Sequence, residues 1–101
     1  MSVIIIGGNE RMERAYAQLC QEYGCAAKVF TRRHKDLQHV FGQPDLCILF
    51  TSTVSHNMVH IASVEARKRS VPLARSHTSS LAALDALLSD FCRERGVRRT
   101  L

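Results

Sequence analysis

The stretch SVIIIGGN at residues 2–9 predicts a strand, a tight turn and the start of a helix. Its β-branched run ends at the pair Gly7 and Gly8, and Asn9 is a residue type that commonly precedes the first turn of a helix. Apolar residues then recur at helical spacing up to Tyr23, and Gly24 follows as a left-handed cap. The opening of the chain is therefore a βα unit.

The same alternation of strand and helix continues along the rest of the chain. Further strands are predicted at residues 26–30, 45–51 and 71–74, with helices at 35–41, after Ser55, and from 78–80 onward. Strands that alternate with helices require parallel pairing through right-handed crossovers. The prediction is one Rossmann-like α/β domain over residues 1–101, a doubly wound four-stranded parallel sheet of order 2-1-3-4 with helices on both faces.

Length and composition narrow the class of protein. The chain has 101 residues, and 14 Lys plus Arg against 9 Asp plus Glu give a net charge of +5, which favours an anionic partner. No apolar run approaches the roughly 20 residues that span a bilayer, and no secretory signal is apparent, so we expect a cytoplasmic protein with no membrane partner. Its cysteines should be small buried hydrophobes. The poorly covered outer strands of so small a sheet predict a homodimer.

Ligands of open parallel sheets bind outside the carboxyl ends of the strands, near the point where the strand order reverses. The predicted strand ends are followed by polar and glycine segments that include three of the five histidines, namely His34, His56 and His77. We interpret this edge as the candidate ligand site. The alternative is that each histidine merely caps a loop or a helix.

One hypothesis for this edge is a phosphate-bearing ligand, that is, a nucleotide or phosphometabolite bound by a regulatory module. The N–H groups after Gly8, the guanidinium of Arg75 and the hydroxyl of Ser79 would hold the phosphate. Gly7 allows close approach of the backbone, but the dinucleotide fingerprint and the P-loop are both missing. Nucleic-acid binding would depend on net charge alone, and no motif for catalysis is found, so we expect a protein that is not an enzyme.

The preferred hypothesis is non-covalent binding of haem b, with a role in binding or sensing oxygen or another gas. Haem needs a neutral imidazole on iron and cations for its propionates. His56 is the first candidate for the axial ligand and His34 the second; His77 lies at the same edge, and Arg33 and Arg75 are the expected cations. His56 and His60 also share a helix face with Ser63 and Arg67, but two histidines alone are a weak metal motif.

Three blocks of the sequence resemble a known family. They are Gly7-Gly8-Asn9-Glu10-Arg11, Val54-Ser55-His56 and the segment Pro72-Leu73-Ala74-Arg75-Ser76-His77-Thr78-Ser79-Ser80-Leu81. Together they are similar to the blocks of the bacterial family named domain of unknown function twenty-three twenty-five. The resemblance implies a small Rossmann-like bacterial protein, with a histidine after the second strand where His34 stands. It implies no activity.

Overall fold

The computed structural model describes residues 1–32 and 35–94. Four parallel strands form one sheet of order β2-β1-β3-β4, which confirms the predicted architecture. The strands are β1 (Ser2–Ile6), β2 (Ala26–Phe30), β3 (Leu46–Phe50) and β4 (Leu73–Ser76). The helices are α1 (Glu13–Glu22), α2 (Leu37–Val40), α3 (His56–Lys68) and α4 (Leu81–Glu94), with single 3-10 turns at Glu10–Met12 and Thr51–Thr53.

The sheet separates two apolar cores because successive side chains of a strand point to opposite faces. One core packs α1 and α4 against residues that include Val3, Ile5, Ile48 and Phe50. The other packs α2 and α3 against residues that include Ile4, Ile6, Cys47 and Leu49. Strand β3 is buried along its whole length, as its uninterrupted apolar sequence predicts. No helix in the described part of the chain is long and apolar enough to cross a membrane.

Two predicted helix caps are present. The side chain of Asn9 accepts a hydrogen bond from the N–H of Arg11 at 2.9 Å, although a 3-10 turn precedes α1. Ser55 caps α3, and its Oγ accepts from the N–H of Met58 at 3.2 Å. Gly24 has φ +73° and follows the end of α1, as predicted. Asn9 and Ser55 thus mark where the chain turns from β1 and β3 into the following helices, and Gly24 marks the end of α1.

The fourth strand begins two residues later than the sequence predicts. Ser70 has a positive φ of 54°, and the N–H of Val71 donates to the carbonyl of Ala66 at 2.8 Å, so Val71 still closes α3. Pro72 immediately precedes the strand, and its carbonyl accepts from the N–H of Cys47. Arg75 therefore lies within β4 and not in the loop after it.

The C-terminal end of α3 is fixed to the segment around α2 by one arginine. The guanidinium of Arg69 donates to the carbonyls of Gly42 at 2.6 Å and Gln38 at 2.9 Å, and it lies 5.6 Å from the ring centroid of Phe41. It also pairs with the buried Glu65 at 2.9 Å. Because α3 runs antiparallel to the strands, this anchor lies at the end of the helix away from the carboxyl edge of the sheet.

Candidate functional site

Internal packing determines the conformation of the turn after β1. Gly7 and Gly8 both have φ +97°, a backbone conformation that residues with a Cβ rarely adopt. A Cβ on Gly7 would lie 2.7 Å from the carbonyl oxygen of Phe50, and one on Gly8 would lie 2.8 Å from Cε2 of Tyr16. Both glycines are therefore required by internal packing, whether or not a ligand approaches them.

The N–H groups of this turn already have internal acceptors. Gly7 donates to the carbonyl of Phe30 at 2.9 Å, and Gly8 donates to Oγ1 of Thr53 at 2.6 Å. The N–H of Asn9 donates to the hydroxyl of Tyr16 at 3.1 Å. A phosphate bound by the N–H of Gly8 or Asn9 would have to displace a hydroxyl oxygen from that group.

Tyr16 connects three segments at the carboxyl edge, and sequence reasoning did not identify it. It is fully buried, and its hydroxyl donates to the carbonyl of Ser79 at 2.7 Å. Its ring lies 5.4 Å from the ring of Phe50 with an interplanar angle of 41°. The sequence did contain a signal, because Tyr16 lies on the apolar face of a predicted helix. A phenol buried there needs a hydrogen-bond partner from another segment. Ser79 is therefore fixed through its backbone, and Ser80 supplies the Oγ that caps α4.

The described histidines of the carboxyl edge are exposed. His56 is the first residue of α3, and His60 lies one turn further along the same side of that helix. His77 is exposed directly after β4. Five clefts formed by the described residues are lined without a histidine. The predicted site residues Arg33 and His34 lie outside the described residues.

Arg75 faces α3 and not the loop before α4. It stands two residues after Leu73 on β4 and therefore shares the face of the sheet on which Leu73 packs, and its Nη2 lies 3.5 Å from Oγ of Ser63, a long hydrogen bond. Ser79, in contrast, is bound by Tyr16 of α1, which packs on the other face of the sheet. The structure thus does not bring Arg75 and Ser79 together as one cradle. It places Arg75 beside Ser63, which shares its helix face with His60 and Arg67.

Arg32, the described cation directly beyond β2, is paired. Arg32 forms an ion pair and a hydrogen bond with Glu10, and these interactions lower the pKa of the Glu10 carboxyl. Thr31 donates to the carboxylate of Glu13. The described polar side chains directly beyond β2 therefore already have carboxylate partners within the protein.

The cysteines are buried thiols, as predicted. Cys20, Cys25, Cys47 and Cys92 are all free and buried. Burial raises the pKa of both Cys20 and Cys47 to about 12, which leaves these thiols protonated and unreactive. Within residues 1–32 and 35–94, no group of three or more His, Cys, Asp or Glu side chains could hold a metal ion.

The sheet order, the helices on both faces and the glycine turn after β1 define a small protein of the Rossmann class. A de novo designed Rossmann fold protein is similar in structure, with a TM-score of 0.60 and 12% sequence identity over 90% of this chain and 96% of the design. A comparison with curated proteins finds no match. The model of the family described as uncharacterized proteins conserved in bacteria, DUF2325, matches residues 2–91. The chain belongs to this family, which confirms the resemblance of its three sequence blocks.

Proposed function

We propose that the chain is a non-enzymatic module that binds haem b without a covalent bond, with His56 as the axial ligand of the iron. The observation that carries this proposal is the position of His56. Its imidazole is exposed in the first turn of α3, directly beyond β3, at the edge where ligands of such sheets bind. His60 provides a second exposed imidazole one turn away on the same side.

The chemistry of haem suits a site with isolated histidines. A bare metal ion such as zinc needs three or four protein ligands around one point. Haem brings four nitrogen ligands of its own, so that one imidazole is enough to hold the iron. When bound, it supplies an iron atom able to take up oxygen or another diatomic gas. His56 would hold the iron through a ring nitrogen of its neutral imidazole.

A homodimer would supply the apolar cover that a haem face needs. His56 lies on an open surface, so a bound porphyrin would be covered on one side by α3 alone. Strand β4 is at the end of the sheet, with its outer edge unpaired among the described strands. Val64, on the exposed side of α3, leaves 37% of its surface in solvent. A second copy packed against α3 and β4 would enclose the ligand between two chains.

Hemin titration followed by absorbance tests the proposal. We expect a saturable Soret band with the parent protein and a weakened or shifted band with His56→Ala. His39→Ala is the matched control, because His39 is also exposed but lies on α2. His34→Ala and His77→Ala examine the other predicted ligands. Failure of the parent protein to take up hemin in a fixed ratio would refute haem binding, whereas unchanged spectra in every histidine variant would refute only the ligand assignment.

Sedimentation of the same samples tests the dimer. We expect the mass of two chains once hemin is bound. A monomer that retains hemin at micromolar concentration would refute the proposed cover by a second copy.

A further inference from the structure

Arg75 has most of its hydrogen-bonding capacity unused. A guanidinium carries five N–H donors, and within the described residues the side chain of Arg75 makes one bond, to Oγ of Ser63 at 3.5 Å. Its backbone lies opposite Leu49 in the parallel ladder, so the base of the side chain is fixed to the sheet. Arg75 is exposed. The structure therefore presents an arginine whose position is set and whose donors face solvent.

Helix α3 places further polar groups around this guanidinium. His60 and Arg67 are three and four residues from Ser63, so their Cβ atoms lie about 5–6 Å from that of the serine on the same helix face. Both side chains are exposed. Ser63 accepts from Arg75 and has a hydroxyl hydrogen left to donate. We call Arg75, Ser63, Arg67 and His60 the α3–β4 cluster.

No carboxylate neutralises this cluster in the part of the chain that the structure describes. The one acidic residue of α3 is Glu65, which is about 200° around the helix from Ser63 and pairs with Lys68 and Arg69. Strand β4 contains no acidic residue. None of the ion pairs formed by residues 1–32 and 35–94 includes Arg67 or Arg75. The cluster thus holds two unpaired guanidinium charges beside a hydroxyl donor.

We propose that the α3–β4 cluster binds the phosphate group of a small soluble ligand. Two guanidiniums approaching from a strand and from a helix match an oxyanion with several acceptor oxygens and more than one negative charge. Ser63 donates its hydroxyl hydrogen to a third oxygen while it holds Arg75 in place. Arg75 contacts Ser63, and Arg67 and His60 lie within about one helical turn of that serine, a span that favours a single phosphate or diphosphate over an extended polyanion. The cluster shares His60 and the surface of α3 with the haem site proposed above, but phosphate binding by Arg75 and Arg67 does not require bound haem.

Calorimetric titration of the full chain with inorganic pyrophosphate, at constant ionic strength, tests this site. We expect Arg75→Gln to weaken binding about tenfold to a hundredfold, because hydrogen bonds to charged groups contribute more than neutral ones. Arg67→Gln should weaken it to a similar extent, and Ser63→Ala about threefold. Arg14→Gln is the matched control. Arg14 is exposed on α1, across the sheet from α3, and its loss changes the net charge equally.

Four results would overturn the proposal. The first is the lack of a saturable heat change with the parent protein, and the second is equal weakening by Arg14→Gln and Arg75→Gln. The third is tighter binding of a short single-stranded oligonucleotide that all arginine variants reduce alike, which would indicate a general basic surface. The fourth is a loss of hemin affinity in Arg75→Gln by the same factor as for pyrophosphate, which would assign the cluster to haem propionates. Circular dichroism confirms that each variant is folded.

Discussion

Tyr16→Phe removes one oxygen atom from the carboxyl edge while keeping the aromatic ring in place. The hydroxyl of Tyr16 accepts from the N–H of Asn9 at 3.1 Å and donates to the carbonyl of Ser79 at 2.7 Å. Phenylalanine keeps the packing against Phe50 but leaves both backbone groups without this partner. The substitution therefore isolates the two hydrogen bonds that join the turn after β1 to the loop before α4.

The expected cost follows from the number of bonds lost. A typical intramolecular hydrogen bond contributes about 1 kcal/mol net, so the two together contribute about 2 kcal/mol to the free energy of unfolding. For a domain of this size, that loss lowers Tm by about 10 °C. Urea unfolding followed by circular dichroism should show a lower midpoint with an unchanged m value, since the surface exposed on unfolding stays the same.

Hydrogen exchange separates this local effect from general destabilisation. The amide proton of Asn9 should exchange faster in Tyr16→Phe. Tyr23→Phe is the control, because the hydroxyl of Tyr23 donates to Asp85 at 2.6 Å elsewhere in the same core. It should lower stability without specifically exposing the Asn9 amide. If Tyr16→Phe has the parent's urea midpoint and the parent's protection of Asn9, the reasoning is wrong.

Three further outcomes are expected. Gly8→Ala should destabilise the protein more than Gly24→Ala, because a Cβ at Gly8 meets an aromatic carbon at 2.8 Å whereas nothing lies within 4 Å at Gly24; equal urea midpoints would contradict this. Burial raises the pKa of Glu65, but the hydrogen bonds and charges of the neighbouring arginine and lysine lower it more, so the folded pKa lies below the ordinary value of 4.5. The stabilisation that ionised Glu65 contributes is complete above pH 4.5 and is lost as the pH falls through the folded pKa. Glu65→Gln should therefore flatten the acid limb of a plot of urea midpoint against pH. Parallel curves for the variant and the parent would count against the ion pairs of Glu65. Burial raises the pKa of Cys20 and Cys47 to about 12, so both thiols should resist DTNB at neutral pH until guanidinium unfolds the chain, and rapid reaction of the native protein would be the contrary result.

Most of the fold could be predicted because it depends on local patterns. The runs that form β1 and β3 are apolar without interruption, and the crossover rule then leaves few possible strand orders. The predicted start of β4 was wrong because Val71 is apolar for a reason other than membership of the strand. It packs in the core beneath α3, and its N–H closes that helix. Hydrophobicity alone does not distinguish these two roles.

The site was less predictable because its contacts join distant residues. The hydroxyl of Tyr16 and the carbonyl of Ser79 are 63 residues apart in the chain, and no periodicity relates them. The pairing of Arg75 with Ser63 could have been predicted, since Arg75 stands two residues after the apolar Leu73 and must face the same helix. Because the predicted strand ended at residue 74, Arg75 was assigned to the loop after it and its face of the sheet was not considered.

The division of the molecule into two cores also bears on how such a chain evolves. Each helix buries its apolar side in one core only, α1 and α4 on one face of the sheet and α2 and α3 on the other. Substitutions in the two helical layers have few shared neighbours, so their effects on stability should add independently. One layer can therefore accumulate changes in its outward side chains while the opposite layer keeps the sheet folded. Proteins with this architecture can therefore change the ligand that their surface binds while they keep the same fold.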